Sequence, residues 1–333
     1  MTTIWLNHWF STAYNIINLI RQDNPDFRII GTNDQKQSPI MKACDEWYQE
    51  PVVKGMDYEN YCLDFCKEHK VDVFMPRREL ITISQHKQLF TDNGIKVMVD
   101  DFEYVNVLNK KNMAYELFKE KNIGIVPDYF IVTDADGFRN AYNELMKKYS
   151  RVCFKFVWDE GGNSFHLIDN QRNKGYESLF RRSSTRISFD ESLAALSERE
   201  TFAPLMVMPY LPDEEISVDC LKTESGIIAV PRIKGVTRIE KVRYDENILG
   251  VCYDLLKKIP LEMPCNIQFK YFDGVPYLLE VNTRMSGGVQ MSCLASGVNI
   301  PSIAVNKLLG RDIPWHDSKT DHNVTYIETP MVL

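Results

Sequence analysis

The chain has 333 residues, of which 44% are hydrophobic and 26% charged. That is the composition of an ordinary globular protein, and it excludes a disordered chain, a collagen-like fibre and a short disulfide scaffold. Thirty-nine basic residues against 46 acidic ones leave a net charge of −7, so there is no electrostatic footprint for nucleic acid, and any phosphate must be met by a few placed cations.

The length suggests two or three sub-domains. No apolar run reaches the length of a membrane span, and the first residues, MTTIWLNHWF, lack the basic and smooth apolar regions of a signal peptide. The 8 cysteines contain no C-x-x-C and read as structural thiols in a reducing cytoplasm.

Thr3–Leu6 reads as a strand, Phe10–Arg21 as a helix and Phe27–Gly31 as a second strand. Tyr58, Tyr61, Cys62 and Phe65 recur at helical spacing and predict a helix over Asp57–His69. The near-continuous apolar run Val71–Met75 predicts a buried strand, followed by a helix over Glu79–Phe90 and a strand at Ile95–Val99. Strands alternating with helices argue for a parallel, doubly wound sheet. No G-x-G-x-x-G follows the first strand, which argues against a dinucleotide site there. A helix is expected over Asn109–Lys121, ended by Pro127, then a helix at Gly137–Tyr149 and a strand at Arg151–Phe156. The polar stretch Asn170–Ser188 reads as a mobile surface segment. Strands are expected at Val207–Tyr210, Ile216–Lys222 and Gly226–Pro231, then a helix at Asp245–Ile259. Two further strands, Cys265–Phe272 and Tyr277–Asn282, precede a helix at Ile300–Leu309.

The most informative stretch is CNIQFKYFDGVPYLLEVNTRMSGG, residues 265–288. With Ile267, Phe269 and Tyr271 facing the core, Asn266, Gln268 and Lys270 share the other face. On the return strand Tyr277, Leu279 and Val281 form the apolar face, opposite Leu278, Glu280 and Asn282. Matching the two apolar faces puts Gln268 across from Glu280 and needs an odd-length loop rather than a two-residue turn; the five residues Phe272–Pro276 are favoured, since Pro276 cannot donate in a ladder. A carboxylate and two amide oxygens are hard donors suited to Mg²⁺. Arg284, two residues beyond Asn282, is a fixed cation of the kind a transferring phosphoryl group needs. The alternative is a half-exposed hairpin with a surface ion pair.

EVNTRMSGG with the upstream NIQF resembles the metal-binding end of the ATP-grasp superfamily, in particular its carbamoyl-phosphate synthase large-chain-like members. Gln268 in place of the more usual acid favours that branch, and Thr283 stands where the family commonly has proline. The resemblance implies an α/β N-terminal domain with a parallel sheet (the pre-ATP-grasp domain) followed by an α+β ATP-grasp fold with a small lid. The expected boundaries are 1–108, 109–310 with the lid at roughly 128–204, and a C-terminal tail at 311–333.

It further implies ATP and two Mg²⁺ ions as cofactors, with Mn²⁺ as a substitute. Gln268, Glu280 and Asn282 would hold the metal. Lys111 and Lys155 would contact the phosphates, and Glu160, Gly161 and Gly162 would belong to the lid loop, where glycine lets backbone N–H groups approach phosphate. Met208, Pro209 and Tyr210 would meet the adenine edge, and Glu215 the ribose, although that stretch also reads as a simple edge strand. Lys155 and Arg284 are the expected catalytic groups.

The implied reaction is ATP-dependent ligation of a small-molecule carboxylate to an amine, an amino acid being favoured, in the cytoplasm, with a homodimer favoured on base rates. The alternatives are a nucleotide-binding regulatory module and an acylphosphate-forming partner of another enzyme. Arg232, Lys234, Arg238, Lys241 and Arg243 read as a solvated face or as a loop gripping an anion. Arg77 and Arg78, past a strand's C-terminal end, are secondary candidates for substrate recognition.

Overall fold

The computed structural model describes residues 1–158, 163–171, 185–235 and 237–333. The chain opens with β1 (Thr3–Asn7), α1 (Ala13–Asp23), β2 (Arg28–Asn33), β3 (Glu46–Gln49), α2 (Met56–His69), β4 (Val73–Met75), α3 (Leu80–Gln85), α4 (Lys87–Asp92), β5 (Lys96–Val97) and α5 (Phe102–Leu108). Its strands form a parallel sheet in the order β3-β2-β1-β4-β5. All five residues of β1 are buried, as a central strand covered on both faces must be. The expected single helix over 79–90 is two, broken at His86, whose Nδ1 is hydrogen-bonded to the buried Glu59 carboxylate of α2.

Next come α6 (Lys111–Glu120), β6 (Phe130–Val132), α7 (Ala135–Met146), β7 (Val152–Phe156), β8 (His166–Ile168), β9 (Arg186–Ile187), α8 (Phe189–Leu196) and β10 (Leu205–Pro209). They build a sheet ordered β6-β10-β7-β8-β9 around Phe138, Phe154, Leu205 and Val207. Residues 186–187, expected as part of a mobile polar segment, pair in parallel with β8; residues 172–184 lie outside the described residues.

The last part holds β11 (Glu215–Thr223), β12 (Gly226–Lys234), β13 (Glu240–Val242), α9 (Glu246–Lys258), β14 (Cys265–Phe272), β15 (Val275–Asn282), α10 (Val289–Ser296), α11 (Ile300–Leu308) and β16 (His322–Val324). Its sheet runs β15-β14-β11-β12-β13-β16. β16 lies in the stretch expected as a tail and pairs antiparallel with β13.

Two compact units result. The first comprises Met1–Asn109, Glu214–Phe269 and Glu280–Leu333; the second comprises Lys110–Asp213 and the hairpin tip Lys270–Leu279. Within the first unit one core runs from Ile4, Leu6, Ile16 and Ile17 through Val230 to Val289, Ile303 and Val305. Asn24 of the segment after α1 hydrogen-bonds Ser302 and Asn306 of α11. None of the eight cysteines is in a disulfide; seven are buried, and burial raises the thiol pKa of Cys62, Cys66 and Cys153. No helix among the described residues is long and apolar enough to cross a membrane.

Candidate functional site

β14 and β15 are joined by Asp273 and Gly274, whose φ angles of 50° and 76° make the two-residue turn that Asp-Gly favours. The five-residue loop expected from the polarity pattern does not form, because Pro276 is accommodated inside β15. Buried positions on β15 fall at Leu278 and Val281, three apart, so the in–out alternation slips by one between them, as at a bulge. Leu278, expected on the polar face, is buried instead, and its N–H donates to Ile125 O at 2.7 Å. Beyond the slip, Glu280 and Asn282 stand opposite the buried side of their strand, with Asn282 Nδ2 donating to Glu280 Oε1 at 3.2 Å. On β14, Ile267 and Phe269 are fully buried while Gln268 between them is half-buried.

Gln268, Glu280, Asn282 and Arg284 therefore all belong to the first unit. Gln268 donates its Nε2 to Asn266 Oδ1 at 3.2 Å. Both amides of the set thus spend an N–H inside the protein, so the amide oxygens are the atoms a metal could use. One carboxylate and two amide oxygens fit Mg²⁺, a hard cation that keeps few protein ligands. No cluster of three or more His, Cys, Asp or Glu suited to a metal occurs among the described residues, so a metal here depends on the amides.

Behind these residues lies a buried polar network that sequence reasoning missed. Asn266 Nδ2 donates to Asp219 Oδ1 and Ser217 Oγ, both at 2.9 Å, and to Val218 O at 3.2 Å. Asp219 Oδ2 accepts from Arg232 Nε at 3.2 Å, Arg232 Nη2 at 3.1 Å and Ser292 Oγ at 2.6 Å. Arg232 Nη2 also donates to Ser286 Oγ at 3.0 Å, and Nη1 to Glu240.

Arg232, expected on a solvated face or in an anion-gripping loop, is 2% exposed. Burial alone would lower its pKa, but the Asp219 and Glu240 carboxylates more than offset this and raise it. Lys234, Arg238 and Arg243 pair with Glu215, Glu328 and Glu214. The available signal was a lone acid in ISVDCL and a lone arginine in AVPRIK, charges where a buried strand has none to spare.

The residues expected to hold the nucleotide's base and phosphates lie in the second unit. Lys111 is the first residue of α6 and only 9% exposed. Lys155 sits on β7 across from Met206 of β10, and Met208 and Pro209 of the same strand pair with Cys153 and Val152. Tyr210 N donates to Arg151 O at 2.9 Å, and the Tyr210 ring has Arg151 Cζ at 4.6 Å and Lys270 Nζ at 5.9 Å. Burial pushes the Cys153 thiol up to about 12, against the pull of Lys155 and Lys270. Lys270 was placed on the polar face of β14 by the sequence but not singled out. Glu160, Gly161 and Gly162 lie outside the described residues. Glu215 belongs to the first unit and accepts from Lys234 Nζ at 2.5 Å.

Of the secondary candidates, Arg78 is used internally. Its guanidinium lies 4.3 Å from the Tyr58 ring and donates to Glu50, whose side chain is fully buried, and to the Pro51 and Val53 carbonyls. Arg77 donates its backbone N–H to Asn7 Oδ1 and packs its guanidinium 5.7 Å from the Phe10 ring.

Residues 201–330 match the family described as ATP-grasp in the biosynthetic pathway with Ter operon, and residues 11–98 match the PylC-like N-terminal domain. The carbamoyl phosphate synthase large chain of Clostridium perfringens is 27% identical over 229 residues, 60% of this chain and 21% of that one. That of Thermoanaerobacter is 21% identical over 303 residues, 86% of this chain and 26% of that one. The chain thus spans about a fifth of the length of the first of these curated relatives.

Among solved structures, the biotin carboxylase domain of Hydrogenobacter thermophilus 2-oxoglutarate carboxylase, in complex with MgADP, ADP and bicarbonate, superposes with a TM-score of 0.69 at 16% identity, over 96% of this chain and 72% of that one. An ADP complex of N5-carboxyaminoimidazole ribonucleotide synthetase gives 0.70 at 12% identity, over 95% and 78%.

Proposed function

We propose, from the match of residues 201–330 to an ATP-grasp family and of residues 11–98 to the PylC-like N-terminal domain, that the chain is an ATP-dependent carboxylate–amine ligase working through an acylphosphate. The observation that supports this reading is the β14–β15 hairpin, whose two strands bring one carboxylate and two oriented amides, with Arg284 just beyond them, into a single unit. Gln268, Glu280 and Asn282 would hold Mg²⁺, which when bound offsets charge on the phosphates. Lys111 and Lys155 would orient the phosphate tail. Met208, Pro209 and Tyr210 would present backbone and apolar groups to adenine, and Glu215 would meet the ribose. The 160–162 segment would be part of the lid, within roughly 128–204.

In the first step a carboxylate oxygen of the substrate attacks the γ-phosphorus, the bond to the bridging oxygen breaks, and ADP leaves. Arg284 offsets the charge on the transferring group. The amine then attacks the acyl carbon, phosphate departs and the amine loses a proton, giving the amide. Exclusion of water protects the acylphosphate between the steps. An amino acid is the favoured amine.

The test is ADP and phosphate release from Mg-ATP with a pooled carboxylate and amino-acid library, wild type beside Glu280→Gln, with calorimetric Mg-ATP binding on the same samples. Pool-dependent ADP that falls at least 100-fold in Glu280→Gln is expected. Tight Mg-ATP binding without turnover in any pool would overturn the ligase reading in favour of a nucleotide sensor.

A further inference from the structure

An amide side chain can ligate a metal only through its oxygen, and a glutamine turned end for end presents an NH₂ instead. A carboxylate at position 268 would face no such choice. Gln268 is therefore a sound ligand only if something fixes which way its amide points.

The fold supplies that constraint through partners whose hydrogen-bonding sense is forced. One edge of the Asn266 amide meets the Val218 carbonyl at 3.2 Å and Asp219 Oδ1 at 2.9 Å. A carbonyl and a carboxylate oxygen accept, so that edge must be the NH₂. The other edge of Asn266 is then its oxygen, and it faces Gln268 at 3.2 Å. The near edge of Gln268 must donate, and its Oε1 is turned to the far side. Asp219 itself cannot swing away, because Oδ2 is held by two nitrogens of Arg232 and by Ser292. Asn266, Asp219, Arg232 and Ser292 are each at most 2% exposed, so water does not compete for these groups and leaving one unpaired is expensive.

We propose that Asn266 is the positioning residue that turns the amide oxygen of Gln268 toward the divalent cation, with Asp219 and Arg232 locking Asn266. This rests on the reading of Gln268, Glu280 and Asn282 as a metal site, and it adds a cause for the orientation of one ligand.

The experiment is a Mn²⁺ titration of the full chain at saturating ADP, bound metal being read by electron paramagnetic resonance, in wild type, Asn266→Ala, Gln268→Glu and the double variant, each with a thermal melt. Removing a residue that orients a ligand typically costs 10–100-fold in metal affinity, and Asn266→Ala is expected to lose roughly that much. A carboxylate has no wrong end, so in the Gln268→Glu background the same change should cost less than about threefold, although both backgrounds lose melting temperature alike. Equal affinity losses in the two backgrounds, or no loss in either, would overturn the proposal. Absence of Mn²⁺ binding in wild type would instead overturn the metal site itself. If Asn266→Ala does not fold, Asn266→Ser keeps a donor toward Asp219 and the comparison runs on that pair.

Discussion

A Cβ on Gly288 would lie 2.4 Å from Arg232 Nη1 and 2.7 Å from Cζ and Nη2, and the guanidinium cannot retreat while Asp219, Glu240, Ser286 and Ser292 hold it. Its φ of −110° is ordinary, so the need for glycine is one of space. Gly288→Ala should therefore destabilise the fold by about 1–3 kcal/mol, the cost of overpacking, as read from urea unfolding. Arg232→Met removes the counter-ion of two carboxylates and should cost about 3–5 kcal/mol, because breaking a buried pair strands a charge. A loss under 1 kcal/mol would mean that water reaches Asp219. At this scale the sequence displayed Gln268, Glu280, Asn282 and Arg284 by their spacing. It could not display Arg232, which one surface-like charge run holds with four other cations.

Among the elements, those whose pattern is written along the chain were legible and those made by pairing were not. The amphipathic repeat of α2 and the apolar runs of β1 and β4 fall where periodicity puts them. β9, of two residues, and β3, β13 and β16, of three or four, exist because a neighbouring strand supplies partners. The β14–β15 turn was misjudged for a related reason. Unbroken apolar alternation predicts a buried Leu279, whereas Leu278, bonded to Ile125, and Val281 are the buried positions and the phase slips between them. Gly274 stands at φ 76° with nothing within 4 Å of a would-be Cβ, so Gly274→Ala carries only the conformational penalty, about 1 kcal/mol. A loss in urea unfolding well beyond that would show that the turn also holds a packing contact. Asp245 caps α9 by accepting from Asn247 N and Ile248 N, and Asp245→Ala should cost about 1 kcal/mol.

For the molecule as a whole, pH dependence is expected from Asp100. This carboxyl is 2% exposed and accepts from Glu262 N at 2.6 Å and Met263 N at 3.0 Å, which ties the end of the parallel sheet to the approach of β14. Its Oδ2 has no hydrogen-bond partner among the described residues. Burial, partly countered by the two N–H donors, pushes its pKa up from 3.8 to about 6. The folded state therefore binds the proton more tightly than the unfolded one. The stabilisation is fully present below pH 4 and is lost as pH rises through about 6, by about 3 kcal/mol at the order-of-magnitude level. Asp100→Asn keeps an acceptor for the two N–H groups and should flatten that part of the profile between pH 4 and 7, measured by urea unfolding. A profile parallel to wild type would mean that the carboxyl is solvated.

By itself the sequence determined the alternating β/α order of the first hundred residues and the hard-donor run that ends in Arg284, because both are periodic or local in the chain. It also carried, through EVNTRMSGG and NIQF, the likeness that the match at 201–330 expresses as an ATP-grasp domain. Only the tertiary structure decided that residues 1–109 share a core with the last third of the chain, that Arg232 is buried rather than solvated, and which way the Asn266 and Gln268 amides point. These depend on which distant groups desolvate one another, and a buried charge or amide takes its meaning from partners up to 73 positions away.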